Sequence, residues 1–344
     1  MKGKILKITL VVLVLSFLLF SVLFVFEFNS TPKMTPENIL FTVKPGEAAR
    51  NIAQNLKEKG IIKKDWPFLL GYKLFYSGKS MKAGEFEFHL PVSTKKALNK
   101  IIEGKIYLHP ITIPEGLTRV EIARHLSSSN FATEENFLKS SSQTEMISDL
   151  DKEASDLEGY LFPETYYFPK GASAKRISST FVSQFREVFT ATWQKRSAEL
   201  KMTVREVVIL ASLIEKETSM PEERKLVSAV FHNRLNIQMK LDCDPTIIYA
   251  LKKEGRIKKR LLIRDLKFKS PYNTYLHRGL PPGPICNPGR GSLQAALYPA
   301  DEKFLYFVSK NDGSHHFSLT FIEHQRAVIK YRKQRQEKPR QDVF

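Results

Sequence analysis

Lys2, Lys4 and Lys7 precede an uncharged run from Ile8 to Phe26 built mostly of Leu, Val and Phe. About 19 residues at roughly 1.5 Å each match a bilayer core, so this run is expected to be one transmembrane helix. It is longer than the ~7 to 15 apolar residues of a cleaved signal peptide. The FEFNSTPKM that follows also lacks a small-residue cleavage site. Lysines ahead of the run and Glu27 behind it predict a cytoplasmic N-terminus, with the bulk of the chain across the membrane.

After a polar Asn/Ser/Thr/Pro linker, the apolar period changes to two and then to 3.6. The segment ILFTVKPGEAARNIAQNL reads as a strand, a turn at Pro45 and Gly46, and a helix with Ala49, Ile52, Ala53 and Leu56 on one face. Gly84 to Pro91 alternates as a second strand, and a helix is predicted from Thr94 to Glu103. This unit resembles a LysM-like module, which implies either glycan holding or a spacer role. The pattern returns from His109 as HPITIPEGLTRVEIARHL, another strand, Pro-Glu-Gly turn and helix, so a boundary is placed near Ile106 to Pro110. Ser127 to Ser155 reads as short surface helices and loops.

EGYLFPETYYFPKG, from Glu158, gathers aromatics around two prolines. Pyranose C–H bonds stack on aromatic faces, which makes Tyr160, Phe162, Tyr166 and Tyr167 candidates for lining a sugar cleft. Thr203 and Glu206 form a T-x-x-E capping box, so a helix is expected to start at Val204 and run through an apolar stretch to Ile214. Glu215 and Glu217 close it. A carboxyl beside apolar side chains keeps its proton longer than one in water and can serve as a general acid. Two positions apart means about 200° around the axis, so the glutamates face different ways. Spacing alone leaves open which of them is catalytic.

The next helix carries Asn233 and Arg234 beside the apolar Leu226, Val230 and Phe231, and both polar residues are expected chiefly to pin structure. Asp244, before Pro245 and Thr246, reads as a helix cap. SPYNTYLHRGLPPGPICNPG is too rich in Pro and Gly for a helix or central strand and is expected to be an ordered loop. In it Tyr272, Asn273, Thr274, Tyr275 and Asn287 offer stacking faces and hydrogen bonds for N-acetylated sugars. FLYFVS and GSHHFS predict a hairpin carrying His315 and His316.

These pieces carry a resemblance. EKET (Glu215 to Thr218), FHNRL, DPTIIYAL, SPYNTYLHRGLPPGPICNPG, SLQAALYPA and YFVSKNDGSHHFS stand in the order found in the YceG-like (MltG) family of membrane-anchored endolytic murein transglycosylases. The resemblance implies that Glu215 is the catalytic acid and that Glu217 supports it, and the small Ala211 and Ser212 one turn below Glu215 are expected to leave room for a sugar ring. The resemblance also implies cleavage between N-acetylmuramic acid and N-acetylglucosamine with closure of a 1,6-anhydro ring, no cofactor and no metal. The partners would be peptidoglycan glycan strands and cell-wall synthases.

The fold class expected is α+β: a cytoplasmic tail (1–7), a transmembrane helix (8–26), a linker (27–38), a LysM-like module (39–107), a mixed catalytic domain (108–335) and a basic tail (336–344). The catalytic domain would be periplasmic or otherwise extracytoplasmic, anchored in the cytoplasmic (inner) membrane.

The formal charge is +18. Across a membrane no nucleic acid partner is expected, so anionic wall and lipid groups are the natural counterparts, and runs such as Lys252 to Arg260 read as solvated faces. Cys243 and Cys286 could pair but make no disulfide framework, and no Cys/His spacing suggests a metal. Two other functions stay open. One is a muramidase-type hydrolase with Asp244 or Glu164 opposite Glu215, and the other is a non-catalytic wall-binding anchor.

Overall fold

The apolar run at the N-terminus forms α1, Lys2–Asn29, in the computed structural model, which describes residues 2–256 and 261–337. Lys258, Lys259 and Arg260 of the basic run, and the tail beyond 337, lie outside the described residues. α1 is long and apolar enough to cross a membrane and is almost wholly exposed along its length. Its last turns are the exception: Phe24, Glu27 and Phe28 are buried.

The chain divides into two compact units, Met1–Pro110 with Tyr167–Lys170, and Ile111–Tyr166 with Gly171–Phe344. In the first, β1 (Glu37–Val43) leads through the Pro-Gly turn into α2 (Ala49–Glu58), followed by α3 (Trp66–Phe75), β2 (Gly84–Leu90) and α4 (Thr94–Glu103). β1 and β2 pair antiparallel with Ile39 opposite Phe88 and Phe41 opposite Phe86, which turns one apolar face inward. Ile52, Ala53 and Leu56 of α2 and Ala97, Leu98 and Ile101 of α4 close over that face, all fully buried. The helix expected between the two strands was one; two are present, because Asp65 caps a second start at Trp66.

The second unit repeats the strand-turn-helix design. β3 (His109–Thr112) passes through Pro114, Glu115 and Gly116 into α5 (Arg119–Ser128), which starts on a capping box formed by Thr118 and Glu121. Then come α6 (Glu134–Ser140) and β4 (Thr165–Phe168). Ile113 N–H donates to the Glu164 carbonyl at 2.9 Å. α7 (Ala174–Val188) and α8 (Ala191–Glu199) precede α9 (Val204–Glu217).

α9 is the central helix of this unit. Thr203 accepts from Glu206 N–H while the Glu206 carboxylate reaches back to Thr203 N–H, the capping box expected from the sequence, worth about 1 kcal/mol. Every residue from Val207 to Ile214 is buried, because α10 (Arg224–Asn236), α11 (Asp244–Lys253), α12 (Arg290–Leu297) and α8 pack around it. Residues 270–289 form no helix or strand and reach the start of α12 as an ordered loop. The expected hairpin is present as β5 (Tyr306–Ser309) and β6 (His315–Ser318), and α13 (Phe321–Glu337) ends the described chain. Cys243 and Cys286 are buried and unpaired. Asp244 is the first helical residue of α11 rather than its cap. The cap position belongs to Cys243, and Asp244 instead accepts the Tyr275 hydroxyl at 2.7 Å.

Candidate active site

α9 ends between two different environments, as the 200° separation of its glutamates requires. Glu215 turns toward the start of α12, where its Oε2 accepts Gly289 N–H at 3.0 Å. A carboxylate at a helix N-terminus meets both a free N–H and the positive end of the dipole. Glu217 turns the other way, toward Cys243, Asp244 and Arg234, and burial pushes its carboxyl up to about 7.

Around Glu215 the structure gathers groups that sequence reading had not singled out. Arg224 Nη2 lies 3.3 Å from Glu115 Oε2 and 3.9 Å from Glu215 Oε1, so one guanidinium stands between two carboxylates. Burial, and then the charge of Glu215, raises the Glu115 carboxyl above its ordinary range, while Arg224 opposes the rise. The Glu215 side chain is only 7% exposed but that of Glu115 is 46% exposed, so Glu115 forms the solvent-facing edge of the cluster. Close approach depends on Gly289: a Cβ there would fall 1.9 Å from Glu115 Oε1. The environment of Glu215 is therefore polar rather than hydrocarbon, with Glu115 as its exposed member.

The turn carrying Glu115 is held by Asn287. Gly116 N–H donates to the Asn287 carbonyl and Asn287 N–H to the Leu117 carbonyl, each at 2.9 Å. Asn287 Oδ1 accepts Gly159 and Leu161 N–H, and its Nδ2 donates to Leu117 O and Glu158 Oε1, all at 2.9 Å. Asn287 is fully buried, so its amide is a structural hub and not a sugar ligand.

Several other residues expected to contact substrate are likewise turned into the fold. Tyr160 is fully buried against Phe185 and donates its hydroxyl to Asp151 at 2.7 Å. Tyr166 is buried against Phe181 and donates to the Phe162 carbonyl. Neither offers a stacking face, because Tyr160, Phe162 and Tyr166 are core; of the four candidate aromatics after Glu158 only Tyr167 is exposed, at 60%. Asn273 is buried, bracing the loop through the Leu266 and Phe268 carbonyls, and buried Thr274 accepts Cys243 N–H. Ala211 and Ser212 are buried too. Ser212 accepts Ile285 N–H at 3.1 Å, so the space above these small residues admits the Pro-Gly loop rather than a sugar.

Tyr272 and Tyr275 remain half-buried, Tyr272 tilted on Tyr249 with Lys253 Nζ 5.1 Å above its ring. Asn233 and Arg234 are engaged by backbone carbonyls. Asn233 Nδ2 donates to the Glu302 and Phe304 carbonyls, and buried Arg234 donates to those of Leu305, Lys240 and Leu241. His315 is tied to Glu223 at 2.6 Å. Asp244 lies on the Glu217 side of α9, and Glu164 bonds its neighbour Thr165. Glu115, rather than either of them, is the carboxylate beside Glu215.

A signal for both missed residues existed. Aligning the two turns places Glu115 where the first copy has Pro45, an ionisable group substituted for a rigid one. Arg224 opens a helix, where a cation opposes the dipole and needs another reason to be there.

Glu158 is a second buried acid. It caps Arg119 N–H at 2.8 Å, accepts Asn287, and meets the Tyr249 hydroxyl at 3.4 Å, and burial pushes it up to about 8. Between its ordinary value of 4.5 and that value the native state binds more protons than the unfolded one, so stability present in acid is lost as pH rises through this window. Glu217 acts in the same direction. The lowered carboxyls Glu85 and Glu121 act oppositely, but only in acid below the window. The unfolding free energy of the detergent-solubilised protein, read from denaturant curves, should fall from pH 5 to pH 8 by on the order of 6 kcal/mol from Glu158 and Glu217 together. Glu158→Gln should flatten that slope, and an unchanged slope would contradict the assignment.

The family model "YceG-like family" matches residues 41–330. A relative from Bacillus subtilis (strain 168), described as endolytic murein transglycosylase, is 32% identical over 89% of this chain and 88% of its own. One of the same description from Streptococcus pneumoniae is 27% identical over 84% of this chain. The match spans 57% of the pneumococcal protein's length. A crystal structure of a YceG-like protein from Listeria monocytogenes is 33% identical, covers 84% of this chain and 98% of that one, and superposes with a TM-score of 0.58.

Proposed function

The chain belongs to the YceG-like family, and from that premise we propose that it is an endolytic lytic transglycosylase of peptidoglycan whose acid and base is Glu215. The observation that carries this reading is the cluster at the end of α9. A glutamate stands there on a helix N-terminus, beside a guanidinium and a half-exposed second carboxylate.

In its acid form Glu215 protonates the oxygen bridging N-acetylmuramic acid to N-acetylglucosamine, and the C1–O bond breaks. The muramyl 6-hydroxyl oxygen then bonds to C1 and passes its proton to the Glu215 carboxylate. Atoms balance without water, and Glu215 ends protonated as it began. Arg224 orients the carboxylates and tempers the charge between them. Tyr272 and Tyr275 line the substrate path, while Glu217, Asn233, Arg234 and Asp244 hold the walls. The first unit is read as a LysM-like module that steadies glycan strands, and α1 as a single-pass anchor with its N-terminus in the cytoplasm. Cuts in nascent strands would end their elongation near the synthases.

Endolytic action is tested on glycan strands of defined length. The protein should halve long strands early, whereas release of disaccharides alone from one end would refute it.

A second reading has one specific observation in its favour. Glu115, not Glu164 or Asp244, stands across Arg224 from Glu215, and a second carboxylate is what a muramidase uses to activate water or trap the sugar. Under the transglycosylase reading, Glu115→Gln should lower the rate by about tenfold to a hundredfold while the products keep their anhydro ends. Reducing ends in the unsubstituted enzyme, abolished by Glu115→Gln, would favour the hydrolase.

A further inference from the structure

We propose that α3 lies in the surface of the bilayer that α1 crosses, with lipid covering its outer face; this rests on the anchor reading above. The segment WPFLLGYKLF contains no acid and one lysine. Its Pro67, Phe68 and Gly71 face the core of the first unit, which leaves Leu74 and Phe75 at 59% and 58% exposed. Two large apolar side chains side by side on a helix otherwise seated in a core call for an occupant.

Continuity with α1 says which occupant. Trp66 lies 5.8 Å from Phe20 and 6.2 Å from Phe24, and Phe75 lies 6.4 Å from Phe24 and 5.8 Å from Phe28, ring to ring. Contact is close enough that a Cβ on Gly71 would fall 2.5 Å from the Phe28 ring. Phe20 stands well inside the apolar run, about 9 Å of helix before its end at Phe26. If α1 spans, Trp66 sits just inside the boundary of the hydrocarbon, in the interfacial zone where tryptophan is favoured.

Charge is arranged for the same place. Glu27, the one acid of α1, has its carboxylate 2.7 Å from Lys64 Nζ and is 11% exposed, so its charge is neutralised where the helix leaves the apolar layer. Lys63 and Lys73, flanking or within α3, are exposed where they can reach headgroup phosphates.

The chain has two tryptophans, Trp66 and Trp193, which makes the test direct. The full-length Trp193→Phe protein is placed in phosphatidylcholine vesicles with or without bromine near the glycerol end of the acyl chains. Trp66 emission should be quenched by more than half in the brominated vesicles and resist aqueous iodide, while the Trp66→Phe protein, reporting Trp193, should show no bromine quenching. Emission that iodide quenches and bromine does not would place α3 in water and overturn the proposal. Emission shielded from both quenchers would mean that a second copy covers the face, and would overturn it equally. Protein washed from the vesicles by alkaline carbonate would sink the anchor reading itself. Retained protein with unquenched Trp66 sinks only the placement of α3.

Discussion

Glu215→Gln should reduce glycan cleavage by about 10² to 10⁴-fold, the range that a positioned general acid supplies, with an unchanged melting temperature. The amide keeps the side chain's size and can still accept Gly289 N–H, so the start of α12 stays in place, but it cannot give a proton to the bridging oxygen. Glu217→Gln is the informative partner. Glu217 faces Cys243 and Asp244 rather than Arg224, and its carboxyl near 7 is set by burial, so the amide should be tolerated with activity within a few-fold of the parent. Cleavage lost with Glu217→Gln and retained with Glu215→Gln would reverse the assignment.

Asn287→Ala should produce the largest loss of stability among single changes near the site. The side chain donates or accepts four hydrogen bonds, to Gly159, Leu161, Leu117 and Glu158, and its removal strands two N–H donors and two oxygen acceptors. At roughly 1 kcal/mol or more for each, the cost is about 4 kcal/mol, or a fall of roughly 10 °C in melting temperature. Activity should fall as well, since the turn carrying Glu115 would keep only the backbone bonds at residue 287. A variant within about 1 kcal/mol of the parent would show that the hub is not what fixes this turn.

The parts of the fold legible in the sequence were those set by local physics. The Thr203–Glu206 capping box marked the start of α9, the apolar run of α1 announced itself by length, and the FLYFVS and GSHHFS segments paired as a hairpin. The opposed directions of Glu215 and Glu217 followed from helix geometry alone. Side chains whose fate depends on distant partners were misread. Tyr160, Asn273, Thr274 and Asn287 look like sugar ligands in one dimension, yet each is consumed by contacts across the fold, Asn287 with residues 126 and 128 positions away. Glu115 and Arg224 were missed for the complementary reason, since the groups that make them matter lie on α9 and at Gly289.

Under the proposed mechanism one carboxylate both gives and takes the proton, so that water never enters the bond that forms. Digestion of purified sacculi in H₂¹⁸O by the full-length protein, followed by mass spectrometry of the released muropeptides, reads this directly. The new ends should be 1,6-anhydro-muramyl, lighter than reducing ends by one water and free of ¹⁸O. Reducing ends that carry ¹⁸O at C1 would contradict the account and establish hydrolysis in its place.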